Sequence, residues 1–390
     1  MTHVVDSIEL GGIVTVRDKL LQMQSEGRKI YRLESGDPSF DITPYVAEAI
    51  NKAIKDGHTH YTAGAGIKPL REAIANKLVD NNHISASPNN VLVTNGAMHA
   101  LYIAFRALCE PGDEVIMPDP TWTETADNVT LAGGVPVRVS TKENKYRYTA
   151  DLIKEKITPK TVAIVINSPH NPTGVVITQK EIEDIISLAG SKHLWIISDE
   201  AYEDIIYDNK QHISPASYFG CDDIISIYSF SKSHAMSGLR LGYLYCKDFK
   251  MLERMAKLLR CTINGVNSAT QYGGVAALTS PQNHIVPMLA NYALRRSILM
   301  DGLSGSILEP VSPEGAFYIW ADIKDTCPLD GWDLCNLLIE KMGIGGAPGI
   351  VFGPSNKRSI RFAFSCPTQQ VFDASAILKL ELQYINKYTR

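Results

Sequence analysis

Strand-like and helix-like segments alternate from about residue 46 to residue 280, and this alternation constrains the fold more than any other feature. VLVT at 91–94 is followed by AMHALYIAFRAL at 97–108, where apolar residues recur at helical spacing. Runs such as AIVIN at 163–167 are almost entirely apolar, which is typical of strands covered on both faces. The pattern predicts an α/β layered domain with a largely parallel sheet.

The two ends of the chain differ from this central part. SPEGAFYIWADI at 312–323 and RSIRFAFSC at 358–366 alternate more regularly, and a helical segment lies between them. The first forty-odd residues contain one amphipathic helix and an extended segment, which we expect to pack with the C-terminal part. We therefore predict an arm at 1–45 that forms part of a small α+β domain, a large domain at 46–280 and the rest of the small domain at 281–390.

Composition excludes several classes of protein. The 390 residues are 45% hydrophobic and 21% charged with a formal net charge of −4, which is typical of a globular protein and gives no reason to expect nucleic acid or a membrane surface as partner. No apolar run approaches the roughly 20 residues of a membrane span, and the N-terminus lacks a secretory signal pattern. Seven scattered cysteines without a C-x-x-C pair indicate reduced thiols and a cytoplasmic protein: Cys109, Cys221, Cys246, Cys261, Cys327, Cys335 and Cys366.

The carboxyl ends of the predicted strands are the place to look for a ligand site, because ligands of open α/β sheets collect there. Asn95, Gly96 and Ala97 follow the first strand and precede a helix. Backbone N–H groups at such a helix start can bind a phosphate, although a plain tight turn would have the same sequence. Trp122 follows the next strand and is either a flat face for an aromatic ligand or a core residue.

Polar residues also follow the next two strands. Asn171 begins an Asn-Pro-Thr-Gly segment, which is either a plain reverse turn or a turn from which Asn171 donates a hydrogen bond to a ligand oxygen. Asp199 ends an apolar strand, and Tyr202 follows three residues later. A buried carboxylate needs a partner, so Asp199 is either the N-cap of a following helix or the partner of a cationic ring nitrogen.

Lys232 lies between two strand-like segments, close in sequence to Ser229 and Arg240. A lone loop lysine is normally solvated, but a desolvated lysine near other cations has a lowered pKa and acts as a nucleophile. An anion site, an aromatic face, an acid, a phenol, an amine and a guanidinium thus occur at successive strand ends. Pyridoxal 5′-phosphate requires these groups, so the sequence predicts this cofactor and no metal.

Seven motifs carry a family resemblance along nearly the whole chain, in this order: GDP at 36–38, YTAGAG at 61–66, NSPHNPTG at 167–174, DEAY at 199–202, SFSKSHAMSGLRLGY at 229–243, GAFY at 315–318 and RFAFS at 361–365. With them the chain resembles the class I (fold-type I) pyridoxal-phosphate-dependent aminotransferases of the aspartate and aromatic type. The resemblance implies a mostly parallel seven-stranded sheet between helices, with a smaller α+β domain.

The resemblance also implies roles for residues that match the family motifs. Lys232 would form a Schiff base with the cofactor and carry the proton, and Asp199 would pair with the ring nitrogen. Tyr202 and Asn171 would hold the phenolic oxygen of the ring. Arg361 would bind the substrate α-carboxylate through its rigid fork. The remaining cofactor-binding residues would be Gly96, Ala97, Met98, Trp122, Asn171, Ser229 and Arg240, with Tyr61 of the partner subunit of a homodimer. Gly36, Trp122 and Asn171 would complete the substrate site.

The implied reaction moves the amino group of an L-amino acid, such as aspartate or an aromatic amino acid, to a 2-oxo acid such as 2-oxoglutarate by ping-pong kinetics. One position departs from the pattern. Some prokaryotic aspartate-using relatives have a lysine where this chain has Met98, and that lysine contacts the distal carboxylate. Arg17, Arg260 or a basic residue of the arm could replace it, Met98 could favour an apolar or aromatic substrate, or Met98 could simply pack.

Two other functions are compatible with parts of the pattern. C–S β-lyases and aminocyclopropane-carboxylate synthases share the lysine, aspartate and arginine, but a β-lyase releases ammonia and pyruvate without needing an oxo acid. A regulator with an aminotransferase-like fold would need an added DNA-binding domain, for which the short arm leaves no room. The presence of Lys232 also argues against such a regulator.

Overall fold

The structure is a computed structural model that describes residues 3–8, 11–220 and 222–387. Its larger sheet has seven strands in the order β1-β7-β6-β5-β4-β2-β3. The strands are β1 Val91–Thr94, β2 Glu114–Asp119, β3 Val135–Ser140, β4 Thr161–Asn167, β5 Trp195–Asp199, β6 Ile224–Ser229 and β7 Gly242–Cys246. All neighbours run parallel except β7, which is antiparallel to β1 and β6. The predicted mostly parallel seven-stranded sheet is confirmed.

Helices flank the larger sheet, and several of them bury apolar residues against it. They are α2 Pro44–Lys55, α3 Lys68–Asp80, α4 Ala97–Leu108, α5 Thr123–Leu131, α6 Ala150–Lys154, α7 Gln179–Lys192, α8 Phe249–Thr262 and α9 Ser268–Thr279. Helix α4 buries Leu101, Ala104 and Phe105. The central strands are buried along nearly their whole length, as expected of strands covered on both faces.

The smaller sheet is antiparallel and has the order β10-β11-β9-β8. Its strands are β8 Leu308–Pro310, β9 Tyr318–Ile323, β10 Ala347–Pro348 and β11 Ser359–Ala363, and its helices are α10 Ile285–Leu303, α11 Gly331–Leu337 and α12 Thr368–Glu381. A separate apolar core that includes Tyr292, Phe317 and Phe362 lies under this sheet.

The N-terminal arm lies against the C-terminal part of the chain. Helix α1 spans Gly12–Ser25 and packs Val16 and Leu20 against Ile339. Beyond it, Tyr31 forms a parallel bridge with Ile344. The extended segment after Tyr31 reaches the carboxyl ends of the strands of the larger sheet, where Gly36 contacts Lys232. The exact domain boundaries after residues 45 and 280 stay a prediction.

The structure can be compared with the expectations of reduced cysteines and of no membrane-spanning helix. All cysteines in the described residues are free thiols, and of these Cys261 alone is exposed. Cys221 lies outside the described residues. Among the described helices, none is both long and apolar enough to cross a membrane.

Candidate active site

The register of three adjacent strands forms an anion site at one edge of the sheet. Gly242 is opposite Thr94 on one side and Ser229 on the other, so the turn after β1, the end of β6 and the start of β7 lie together. Gly96 has φ +81°, and a Cβ there would lie 2.5 Å from Nη2 of Arg240. A glycine is therefore required for the close approach of Arg240 to the start of α4.

Helix α4 begins at Ala97, directly after this turn, and Ala97 and Met98 line a cavity. The first N–H groups of a helix lack partners within the helix and carry a partial positive charge. Arg240 lines the same cavity, and its Nη1 donates to the backbone oxygen of Ser237 at 2.7 Å. This combination of N–H groups, a hydroxyl at Ser229 and a guanidinium suits a phosphate group.

Lys232 follows β6 in a turn and points into the cavity. Its Nζ donates to the backbone oxygen of Gly36 at 2.8 Å and lies 5.6 Å from the ring centroid of Tyr202. Burial lowers the pKa of Lys232 to about 8, with the positive charges of Arg361 and Arg240 reinforcing the shift and Asp37 and Asp199 opposing it. At pH 7 about a tenth of the amine is then uncharged and nucleophilic, far more than for a lysine with its ordinary pKa of 10.5.

Asp199 is buried at the end of β5. Burial raises the pKa of its carboxyl to about 6, assisted by Glu200 and opposed by the N–H of Ala201 and by Lys232. Residues 200–204 form turns instead of a helix, so the interpretation of Asp199 as a helix N-cap is wrong. Its Oδ1 accepts from the N–H of Ala201 at 3.2 Å. The buried acid is placed to pair with a cationic group entering the cavity.

Tyr202 and Arg361 complete the wall opposite the helix start. The Tyr202 hydroxyl lies 2.8 Å from the hydroxyl of Tyr318. Arg361 is 3% exposed, and its Nη1 and Nη2 donate to Asn171 Oδ1 at 2.9 Å and to the backbone oxygen of Glu34 at 2.8 Å. Its guanidinium carbon lies 4.3 Å from the Tyr318 ring centroid. These contacts hold the fork in one orientation.

Most of the predicted site residues line this single cavity of about 420 Å³. Those lining it are Gly36, Ala97, Met98, Trp122, Asn171, Asp199, Tyr202, Ser229, Lys232, Arg240 and Arg361. Gly96 lies behind the guanidinium of Arg240. Tyr61 is 89% exposed and does not line the cavity. The cavity thus offers an amine, a buried acid and an anion site, and the close approach at Gly96 shapes a phosphate cradle, so these residues fit pyridoxal phosphate.

Residues 28–376 match the family model of aminotransferase class I and II. The chain belongs to this family. A probable aspartate/prephenate aminotransferase of Aquifex aeolicus is 34% identical over 362 residues, which cover 90% of this chain and 91% of that protein. The aminotransferase is therefore a pyridoxal-phosphate-dependent transaminase, as the sequence motifs predicted, and this activity is favoured over the lyase alternatives.

Solved structures show the same architecture. An aspartate aminotransferase from Thermus thermophilus with maleate superposes with a TM-score of 0.92 at 31% identity, covering 97% of this chain and 98% of that one. An aromatic aminotransferase from Pyrococcus horikoshii gives a TM-score of 0.89 at 34% identity, covering 95% and 99%. The aminotransferase therefore has the fold-type I architecture that the resemblance implied.

Several cavity residues of the aminotransferase were not among the predicted site residues. Tyr318, Arg32, Glu34 and Glu124 all line the cavity. Tyr318 is the last residue of the GAFY motif, so the sequence contained a signal for it. The contact between Tyr318 and Tyr202 could not be predicted, because it depends on how the smaller sheet packs against the larger one. Of the basic residues considered as a replacement for lysine at position 98, Arg17 lines the cavity and Arg260 does not.

A second polar cluster lies behind Asp199. Nζ of Lys77 in α3 is 2.5 Å from Glu203, and Nε2 of His212 is 2.8 Å from Glu200. Burial opposes the charge on Lys77, but Glu203 outweighs it, so the pKa of Lys77 is raised. Oxygen and nitrogen atoms of Glu200, Glu203 and His212 lie within 4.8 Å of one another. Because Lys77 and a protonated His212 already balance the two carboxylates, we interpret this cluster as an internal ion network.

Proposed function

We propose that both halves of the transamination take place in this one cavity, which binds an L-amino acid and then a 2-oxo acid such as 2-oxoglutarate in turn. The observation that carries the proposal is that Lys232, with its lowered pKa, and the buried fork of Arg361 line the same cavity. The reaction needs two protein groups that act on the substrate. One is an amine that accepts a proton near neutral pH, and the other is a guanidinium that binds a carboxylate.

Lys232 is proposed to remove the proton from Cα of the substrate. It would then return this proton to the aldehyde carbon of the cofactor. Pyridoxal phosphate, when bound, supplies a conjugated ring that withdraws the electron pair left at Cα. Asp199 would hold the ring nitrogen protonated, since a buried carboxylate is stabilised by a cationic partner. Tyr202 and Asn171 would donate to the ring oxygen, and Trp122 would cover one face of the ring.

The phosphate of the cofactor would lie at the start of α4. Gly96, Ala97 and Met98 provide the backbone there, and Ser229 and Arg240 lie at the neighbouring strand ends. The substrate α-carboxylate would bind to Arg361, with Gly36, Asn171 and Trp122 around it. Binding at Arg361 would place Cα of the substrate beside Lys232, because both groups face the same space.

We further propose a homodimer. Tyr61 is a large aromatic residue that is 89% exposed on one chain, in the YTAGAG segment. An exposed tyrosine of this kind is typical of a residue that becomes buried in an interface. In the proposed dimer, Tyr61 of the partner subunit donates to the cofactor phosphate. The free cysteines among the described residues favour a cytoplasmic location, which we propose with the dimer.

A spectral experiment tests the proposal. The purified protein is mixed with single amino acids, and bleaching of the visible absorbance of the bound cofactor is followed. Transamination requires that 2-oxoglutarate, or another 2-oxo acid, restores the absorbance. Release of ammonia and pyruvate without any oxo acid would contradict the proposal. Turnover by Lys232→Ala at the wild-type rate would contradict the role of the lysine.

A further inference from the structure

Glu124 is a cavity-lining acid that the proposed chemistry does not use. It lies in the first turn of α5, two residues after Trp122. Its Oε2 is shielded from solvent and has no hydrogen-bond partner among the described residues. A buried carboxylate oxygen without a hydrogen-bond partner destabilises the protein, and a bound group that donates to this carboxylate would offset that cost.

The arginines of the cavity wall have partners of their own. Arg32 donates through Nε to the buried carboxylate of Glu34, and Arg17 lies 3.0 Å from Asp18 near the surface. Arg361 donates to Asn171 and to a backbone oxygen. None of these three cations forms an ion pair with Glu124 in the described residues. Arg361 has only neutral partners and keeps its positive charge for the proposed α-carboxylate site, whereas Glu124 is a carboxylate that no cation pairs with among the described residues.

The surroundings of Glu124 disfavour its ionised form. Burial raises the pKa of its carboxyl, and Asp127 adds to the shift. The N–H of Glu124 itself and the charge of Arg361 act in the opposite direction. Glu124 and Arg361 line the same cavity, so the acid faces the space that the proposed α-carboxylate site opens into. A positive or N–H-donating group bound next to it would stabilise the ionised form.

Met98 lies close to Glu124 on this wall. Nδ2 of Asn128 donates to the backbone oxygen of Glu124 at 2.8 Å and lies 3.5 Å from Sδ of Met98. Met98 occupies the position where some aspartate-using relatives have a lysine. In this chain the same wall presents a thioether and an acid, so a substrate side chain that ends in a carboxylate meets a negative group.

We propose that Glu124 is a specificity-determining residue that selects amino donors whose side chain ends in a carboxamide or an ammonium group over donors that end in a carboxylate. This inference rests on the proposed function, because it concerns the amino donor of the same cavity. The recognised feature is an N–H donor at the end of the side chain, bound by the carboxylate of Glu124 where this residue lines the cavity. Asparagine, glutamine, lysine and ornithine have this chemistry, whereas aspartate and glutamate have the opposite charge.

The test is a single-turnover measurement of the donor half-reaction, without any oxo acid. The holoenzyme is mixed with glutamine, glutamate, methionine or lysine, and the rate of bleaching is measured against donor concentration. The first three donors are similar in length and differ in their terminal group. We expect wild-type protein to prefer glutamine to glutamate, and Glu124→Gln to reduce that preference by about tenfold to a hundredfold. Methionine should change by less than about threefold.

A matched control and a second measurement sharpen the test. Glu143→Gln removes the same charge from an exposed residue that does not line the cavity, and its donor preference should equal that of the wild type. The reverse half-reaction should show the same selection, so Glu124→Gln should react faster with 2-oxoglutarate than the wild type does. Cofactor absorbance and melting temperature of both variants report whether they fold.

The outcomes separate the inference from the proposed function. If Glu124→Gln bleaches normally and keeps the glutamine-to-glutamate ratio within twofold of the wild type, the inference is wrong and the proposed function stands. If the substitution slows all four donors equally, Glu124 does not select the side chain, and the inference is also wrong. If no amino acid bleaches the wild-type holoenzyme, the proposed function itself fails.

Discussion

Replacing Lys232 with methionine should change how the stability of the cofactor-free protein depends on pH. The pKa of Lys232 is lowered from its ordinary value of 10.5 to about 8 in the folded protein. Between pH 8 and pH 10.5 the amine of Lys232 holds a proton in the unfolded chain but not in the folded protein. Raising the pH through this window therefore stabilises the folded state, and lowering it toward 8 brings back the full cost of the buried charge.

The magnitude follows from the size of the shift. Each pKa unit corresponds to about 1.4 kcal/mol, so between pH 8 and pH 10 the wild type should gain about 2–3 kcal/mol over Lys232→Met. Below pH 8 both states of the wild type bind the proton, and the difference between the two proteins should be constant. Above the ordinary lysine pKa the difference should again stop changing.

The assay is urea unfolding of the two cofactor-free proteins at pH 7, 8, 9 and 10, followed by tryptophan fluorescence. The difference in unfolding free energy removes the titration of all other groups, which the two proteins share. Lys160→Met, at an exposed lysine, controls for the loss of one positive charge. A wild-type-minus-variant difference that stays flat within about 0.5 kcal/mol from pH 8 to pH 10 would refute the lowered pKa of Lys232.

Three further predictions concern other parts of the site. Gly96→Ala should weaken cofactor binding at least about tenfold, measured by absorbance titration, since its Cβ would displace the Arg240 guanidinium. Lys77→Met should lower the unfolding free energy by about 3–5 kcal/mol because the largely buried carboxylate of Glu203 loses its ion-pair partner, and adding Glu203→Gln should recover part of the loss. Arg361→Lys should lower kcat/KM for every amino donor by about a hundredfold while cofactor absorbance is retained, since lysine cannot replace the two donors of the fork.

The sequence predicted those parts of the fold that depend on local pattern. The helical spacing at 97–108 matches α4 to the residue, and the apolar runs match β4, β5, β6 and β7 within a few positions. Strand β3 was not singled out because it is a partly exposed edge strand that contains a proline. The short strands β8 and β10 have only three and two residues, too few for an alternation to be visible.

Residues at the ends of parallel strands were predictable as site residues for a physical reason. Neighbouring parallel strands end at the same edge of a sheet, so polar side chains after β4, β5 and β6 had to come together. The helix-cap alternative for Asp199 failed because the residues after it turn back toward the small sheet, where Ile206 pairs with Gly315. That contact joins segments 109 residues apart, and no local pattern reveals it.

Substrate selection cannot be predicted from the positions of the strand ends, because it depends on the individual side chains that line the cavity. In this chain the first turns of helices α4 and α5 contribute Met98 and Glu124 to one wall of the cavity. Neither residue type marks a site by itself, since methionine and glutamate are both ordinary helix residues. Their role depends on the groups around them. Arg17 and Arg32 are paired with Asp18 and Glu34, and no cation of the part of the chain that the structure describes is paired with the carboxylate of Glu124. If the proposal for Glu124 holds, the charge balance of the wall selects the amino acid that reacts at Lys232, and the shared fold does not.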